Sequence, residues 1–212
     1  MNKNGRAHFI TLEGGEGTGK STQGKHLAAR LQAIGIPHIL TREPGGSPGA
    51  EEIRNLLVQG EPGRWDALTE ALLMFAARAD HVARTIKPAL ESHKWVISDR
   101  FTDSSYAYQG VGRGLRAGKL AEIEDVVLDG FEPDLTLILD LPVKEGLKRA
   151  QARNGHETRF EKFDVEFHQR LRAGFLEIAK ANPERCRLID ASGSEDHVAE
   201  AIWREVQSRF GL

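Results

Sequence analysis

The chain has 212 residues, 40% hydrophobic and 28% charged, a balance that excludes a disordered or fibrous chain and leaves room for one α/β core. Its 29 Lys and Arg against 31 Asp and Glu give a formal net charge of −2. No overall positive field therefore draws it to nucleic acid or anionic lipid, and any basic site must be local. One cysteine, Cys186, excludes an intrachain disulfide. The polar start at 1–6 and the lack of a long apolar run predict a cytoplasmic enzyme with no membrane partner.

Residues 8–12 are a short β-favouring run ending in Glu13-Gly14-Gly15, read as a buried strand and a turn. From 20 to 33, Leu27, Ala28, Leu31 and then Ile34 recur at helical spacing until Gly35 stops the pattern. A second strand is predicted over 36–40, then a loop from 42 to 48, a short helix over 49–58 and a Gly/Pro turn at 60–63. A long helical pattern fills 66–90, with Leu68, Ala71, Leu72, Phe75, Ala79, Val82 and Ile86 recurring and Pro88 near its end. Residues 95–97 form a strand ending on Ser98-Asp99, and 135–141 form another behind Pro133. Helical stretches are predicted at 118–129, 143–153 and 161–181, a last strand near 187–189 and a closing helix over 195–210. Strands alternating with helices predict an α/β fold: a five-stranded parallel sheet flanked by helices, in one domain spanning 1–212. Asn154-Gly155-His156 interrupts two helical segments, so 153–158 reads as a mobile loop.

The strongest chemical signal is Gly14-Gly15-Glu16-Gly17-Thr18-Gly19-Lys20-Ser21, which fits G-x-x-x-x-G-K-[ST] between a predicted strand and a predicted helix. Glycines let successive N–H groups turn inward around a phosphate, and the helix start adds its positive end. Lys20 supplies a charge for the β- and γ-phosphates of ATP, and Ser21 offers a hydroxyl to Mg²⁺. Asp99, at the end of an apolar strand, is the acid expected beside that Mg²⁺. Three classes of P-loop protein compete. The guanine-reading Asn-Lys-x-Asp of a GTPase is absent. An ATP-driven regulatory or motor protein needs more chain or a partner surface, whereas a small-molecule kinase needs only a core, an acceptor pocket and an arginine-bearing lid. A non-catalytic ATP-binding switch is the alternative from a different class.

Further stretches are Thr41-Arg42-Glu43-Pro44-Gly45-Gly46, Phe75-Ala76-Ala77-Arg78, Asp99-Arg100-Phe101, Ser104-Ser105-Tyr106-Ala107-Tyr108-Gln109-Gly110 and Pro133-Asp134-Leu135-Thr136. With the glycine-rich loop extended from Glu13 to Thr22, and in this order and spacing, the chain resembles thymidylate kinase, particularly the bacterial form, from Phe9 to the C-terminal helix. The resemblance implies a P-loop nucleoside monophosphate kinase fold with a mobile lid at about 149–160. It also implies Mg²⁺-dependent transfer from ATP to dTMP, giving dTDP, in a homodimer.

Read through that resemblance, Gly14, Gly15, Gly17, Thr18, Gly19, Lys20, Ser21 and Thr22 hold the donor phosphates. Arg100 clamps the acceptor phosphate, Arg42 lies near it on the loop after the second strand, and Glu43 holds that loop or reaches the site through water. Arg78 hydrogen-bonds the thymine. The aromatic that usually lies four residues earlier is Met74 here and the next residue is Phe75, so either could cover the base. Ser105 and Gln109 are polar positions near the base, and Tyr108 lies against the sugar where a 2′-hydroxyl would stand. The lid arginines are Arg149, Arg153 and Arg159, with Arg153 favoured as the catalytic one because the loop carries Glu16 and no arginine. The usual Leu-Asp-Arg of the lid is Glu157-Thr158-Arg159 in this chain. The closest alternative is a kinase of the same fold acting on another nucleoside or nucleoside monophosphate.

Overall fold

The computed structural model describes residues 6–152 and 159–212. The elements run β1 (Phe9–Glu13), α1 (Lys20–Ala33), β2 (His38–Arg42), α2 (Pro48–Val58), a 3₁₀ turn (Pro62–Arg64) and α3 (Ala67–His81). A π-helical turn (Val82–Ile86) carries α3 into α4 (Lys87–Glu91). Then come β3 (Trp95–Asp99), α5 (Thr102–Ser105), a second π-helical turn (Tyr106–Gly112), α6 (Ala117–Leu128) and β4 (Leu135–Asp140). The chain ends with α7 (Val143–Gln151), α8 (Val165–Ala181), β5 (Cys186–Asp190) and α9 (Glu195–Phe210).

All the strand pairs are parallel, in the order β2-β3-β1-β4-β5. Helices cover both faces, so the central strands are mostly apolar: Ile10, Leu12, Ile97, Leu135, Leu137 and Leu139 are each at most 1% exposed. One core packs α1 and α9 against the sheet through Leu27, Leu31, Val198, Ile202 and Val206. On another, Phe9, Val82, Ile86, Val96, Phe101 and Leu128 cluster. β1 lies between β3 and β4, which places the crevice at the carboxyl end of β1. The register pairs Leu12 and Arg42 with Asp99, so the loop after β1, the end of β2 and the end of β3 meet there. Among the described residues no helix is long and apolar enough to cross a membrane.

Three local differences from the sequence reading bear on the site. β2 runs to Arg42 because its residues pair one for one with Trp95–Asp99, so Arg42 ends a strand rather than sitting on the following loop. The segment from Thr102 to Gly112, left without an element by periodicity, is helical and almost wholly buried. It docks by side chains: Asp103 takes a bidentate pair from Arg185 at 2.7 and 2.9 Å, and the Tyr106 hydroxyl donates to Glu124 at 2.5 Å. α8 begins at Val165 rather than near 161, because the Asp164 side chain accepts the Phe167 N–H at 2.6 Å and caps the helix there. The residues 153–158, expected to form a mobile loop, lie outside the described residues, and Arg153 with them.

Candidate active site

β1 delivers the chain to the glycine-rich loop, and the loop ends on Gly19, the residue before α1. Gly17 has φ +71, and a Cβ there would stand 1.9 Å from the Gly146 carbonyl oxygen on α7, so only glycine fits this approach. The Lys20 ammonium donates to the carbonyls of Gly14 at 3.1 Å and Gly15 at 2.7 Å. Burial and the nearby Arg100 cation lower its pKa to about 8, against the pull of Glu16, Asp99 and Glu13. The Ser21 hydroxyl donates to the Asp99 carboxylate, so the two side chains expected at Mg²⁺ stand together at the head of α1. Among the described residues no three His, Cys, Asp or Glu are placed to hold a metal by themselves. A hydroxyl and one carboxylate suit a Mg²⁺ that takes its other oxygens from phosphates and water.

Arg100 joins this loop to the second half of the site. It has φ +74, and its guanidinium donates to Gly14 O at 3.0 Å, Ser104 Oγ at 3.1 Å, Glu16 Oε1 at 3.1 Å and Tyr108 Oη at 2.8 Å. The Tyr108 hydroxyl in turn donates to Glu16 at 2.6 Å. Burial works against the Glu16 anion, but Arg100 and Lys20 outweigh it and hold its pKa at about 2. Glu16, Lys20, Ser21, Arg42, Asp99 and Arg100 line a polar cleft of about 290 Å³, together with Glu43 and Arg54.

That cleft shares Glu16, Glu43, Arg54 and Arg100 with a neighbouring cavity of about 130 Å³. The walls of the second cavity include Met74, Arg78, Ser105, Tyr108 and Gln109. Arg78 is 2% exposed and donates to Glu43 at 2.7 Å, to Ser105 Oγ at 3.1 Å and to the Phe101 carbonyl at 3.0 Å. Glu43 is thus a buried ion-pair partner of Arg78 (5% exposed), which favours its structural role over contact through water. Gln109 donates from its amide to Glu70 at 2.9 Å. Met74 lines the cavity, whereas Phe75 is 1% exposed in a core cluster with Ala71 and Leu120. Of the two candidates for covering the base, the geometry favours the thioether.

The arginines of the expected lid separate. Arg149 donates to the Ala191 carbonyl at 3.1 Å and pairs with Glu145. It lines a cleft on the far side of the loop with Gly17, Thr18, Gly19, Thr22, Gln23 and Glu195. Arg159, expected to meet the donor phosphates, is 1% exposed and points elsewhere. It donates to the carbonyls of Leu57, Glu61 and Pro62 at 2.9–3.1 Å and pairs with the fully buried Glu70. A buried guanidinium needs a buried anion, and Glu70 on α3 is that anion. This role as a tie between α2, α3 and the segment before α8 replaces the expected phosphate contact.

Arg54, Ser104, Phe160 and Glu161 also line the cavity, and the sequence reading passed over them. Arg54 follows no motif; it enters because α2 turns it toward the Pro44 carbonyl. Glu70 could have been found, since Glu70, Met74, Arg78 and His81 recur at helical spacing and put charge on a buried face.

The thymidylate kinase family model matches residues 12–202 of this chain. The chain belongs to the thymidylate kinase family. A thymidylate kinase of Caulobacter vibrioides is 55% identical over 204 residues, covering 96% of this chain and 98% of that one. One from Ruegeria pomeroyi is 52% identical, covering 93% of each. Among solved structures, the crystal structure of thymidylate kinase from Ehrlichia chaffeensis superposes with a TM-score of 0.78 at 37% identity, covering 95% of this chain and 99% of that one. Family membership makes the fold that of a P-loop nucleoside monophosphate kinase and the chain a phosphotransferase.

Proposed function

We propose that this protein transfers the γ-phosphoryl group of ATP to dTMP, forming dTDP, with the ATP and Mg²⁺ that the family generally uses. The observation that carries the reading is the shared wall: Glu16 and Arg100 line both the phosphate cleft and the cavity that holds Arg78, Ser105 and Gln109. A donor phosphate chain in the first and a pyrimidine nucleotide in the second would meet at Arg100.

In this reading an oxygen of the dTMP phosphate attacks the γ-phosphorus, and the bond from that phosphorus to the bridging β-oxygen breaks, leaving ADP. The attacking oxygen is already anionic, so no strong general base is required, and positioning with charge stabilisation carries the reaction. Lys20 and the loop N–H groups hold the β- and γ-phosphates. Ser21 and Asp99 would hold Mg²⁺, which would supply positive charge to the phosphates during transfer. Arg100, assisted by Arg42, holds the acceptor phosphate, and Glu16 fixes Arg100 and Tyr108 through the bonds described above. Tyr108, anchored by its hydroxyl, stands against the sugar. Arg78 and Gln109 face the base with Met74 covering it. The cleft around Arg149 and Thr22 takes the adenosine end of ATP. The role of Arg153 at the transferred phosphoryl group rests on family resemblance alone.

We also propose a cytoplasmic homodimer formed through α3 and α6, whose Leu72 (50% exposed) and Val126 (86% exposed) are large apolar side chains open to solvent. Sedimentation equilibrium should give twice the chain mass. The activity is tested by ADP release with ATP and Mg²⁺ and, in turn, dTMP, dUMP, ribosyl-TMP, dCMP or no acceptor. Fast turnover on dTMP with a sharp fall for the ribose analogue is expected. Equal ADP release with and without acceptor would contradict the proposal.

A further inference from the structure

His81, the last residue of α3, is fully buried (0% exposed) and lines neither cleft described above, yet both its ring nitrogens are engaged. Nδ1 lies 3.0 Å from Glu43 Oε1, and Nε2 lies 2.7 Å from Thr41 Oγ1 at the end of β2. A carboxylate can only accept, so Nδ1–H donates to Glu43, while Nε2 shares a hydrogen bond with the Thr41 hydroxyl. The other Glu43 oxygen receives Arg78 Nε at 2.7 Å. A continuous chain therefore runs Thr41, His81, Glu43, Arg78, Ser105, and every link from His81 to Ser105 is at most 5% exposed.

A second observation shows that the fold makes room for this ring. Gly46 has φ +87, and a Cβ at that position would stand 2.3 Å from His81 Nε2 and 2.5 Å from Thr41 Oγ1. The turn after β2 can close over the histidine only where residue 46 has no side chain.

We propose that His81 is a positioning residue for base recognition: it fixes the Glu43 carboxylate, which fixes the guanidinium of Arg78 in the acceptor cavity. Three of the five Arg78 N–H groups are used by Glu43, Ser105 and Phe101 O, so two remain to meet a ligand, and their direction is set by the bond to Glu43. A guanidinium can only donate. Thymine presents a carbonyl acceptor where cytosine carries an amino donor, so a fixed Arg78 favours dTMP over dCMP. Without the His81 donor, Glu43 Oε1 is a buried acceptor lacking its partner, and the carboxylate can turn and release Arg78 from its direction.

The inference rests on the reading that Arg78 faces the base. The test compares His81→Leu, His81→Gln and Arg78→Ala in the full chain, with steady-state kinetics for dTMP, dCMP and ATP. His81→Leu should raise the KM for dTMP about tenfold and reduce the preference for dTMP over dCMP, with kcat and the KM for ATP little changed. His81→Gln, whose amide can both donate to Glu43 and accept from Thr41, should recover most of both. If His81→Leu does not fold, Thr41→Val, which removes only the hydroxyl beyond the ring, is read in the same way with a smaller shift. Unchanged preference and dTMP KM in a folded variant, or KM values for dTMP and ATP that rise together, would overturn the proposal. If Arg78→Ala leaves the preference intact, the reading of Arg78 itself falls, and the role of His81 falls with it.

Discussion

At its phosphate end the site is built around eight consecutive residues, Gly14 to Ser21, running from the turn after β1 into α1, with Arg42, Asp99 and Arg100 facing them. At its base end it is assembled from side chains on α3, on the turn after β2 and on the helical segment from Thr102 to Gly112, each brought in by a different part of the chain. The charges are handled differently as well. At the phosphate end burial, together with the neighbouring Arg100 cation, lowers the Lys20 pKa. Arg78 and Arg159 at the base end are each matched to a buried carboxylate, Glu43 and Glu70. The first arrangement is suited to receive an anion, and the second to hold a shape.

Breaking the second arrangement should show its scaffolding role most strongly. Glu70→Leu leaves the Arg159 guanidinium buried without its carboxylate, at a cost of about 3–5 kcal/mol, read as a lowered midpoint in urea unfolding. Arg159→Met should cost less, because Glu70 keeps its pair with Arg113 at 2.8 Å. Equal losses in the two variants would argue against a shared carboxylate.

The phosphate end should respond in rate rather than stability. Lys20→Ala removes a donor aimed at the transferred charge and should lower kcat by about 10²–10³-fold, with little change in the unfolding midpoint. A sharper probe of the crowded charge is proton linkage. With the Lys20 pKa at about 8 in the free protein, nucleotide phosphates should raise it, so binding at pH 8–9 is accompanied by proton uptake. Calorimetric titration in buffers of different ionisation enthalpy reads that uptake, and Lys20→Met should abolish it.

The smallest effect concerns acid stability. Glu16 titrates near 4.5 when unfolded and at about 2 in the folded protein. Its contribution is complete above pH 4.5 and is lost as pH falls through about 2. Glu16→Gln should flatten the unfolding free energy over that interval and leave it unchanged in slope at neutral pH.

The same contrast explains what the sequence revealed. The phosphate end was legible because its determinants are contiguous, with Gly, Lys and Ser at fixed spacing between a strand and a helix. The five strands along the chain and the closing helix from Glu195 to Phe210 followed from periodicity. Arg159 was misplaced because its partner Glu70 lies 89 residues away, and no local pattern announces a buried pair formed by folding. Met74 and Phe75 are neighbours on one helix, and only the packing of α3 against α6 decides which of them turns to the core. The π-helical turn from Tyr106 to Gly112 escaped because its residue period is not 3.6 and it contains two glycines, Gly110 and Gly112. His81 was hidden for the same reason as Arg159: its partners, Thr41 and Glu43, are close only in the folded chain.

The claim that both ends belong to one reaction is tested most directly by following the label from ATP carrying a tagged γ-phosphate, incubated with the protein, Mg²⁺ and dTMP. The label should appear in dTDP in step with ADP formation, and little of it in inorganic phosphate. Label found in inorganic phosphate alone, at a rate that ignores dTMP, would mean that the cavity beside Arg100 does not deliver an acceptor to the phosphate cleft.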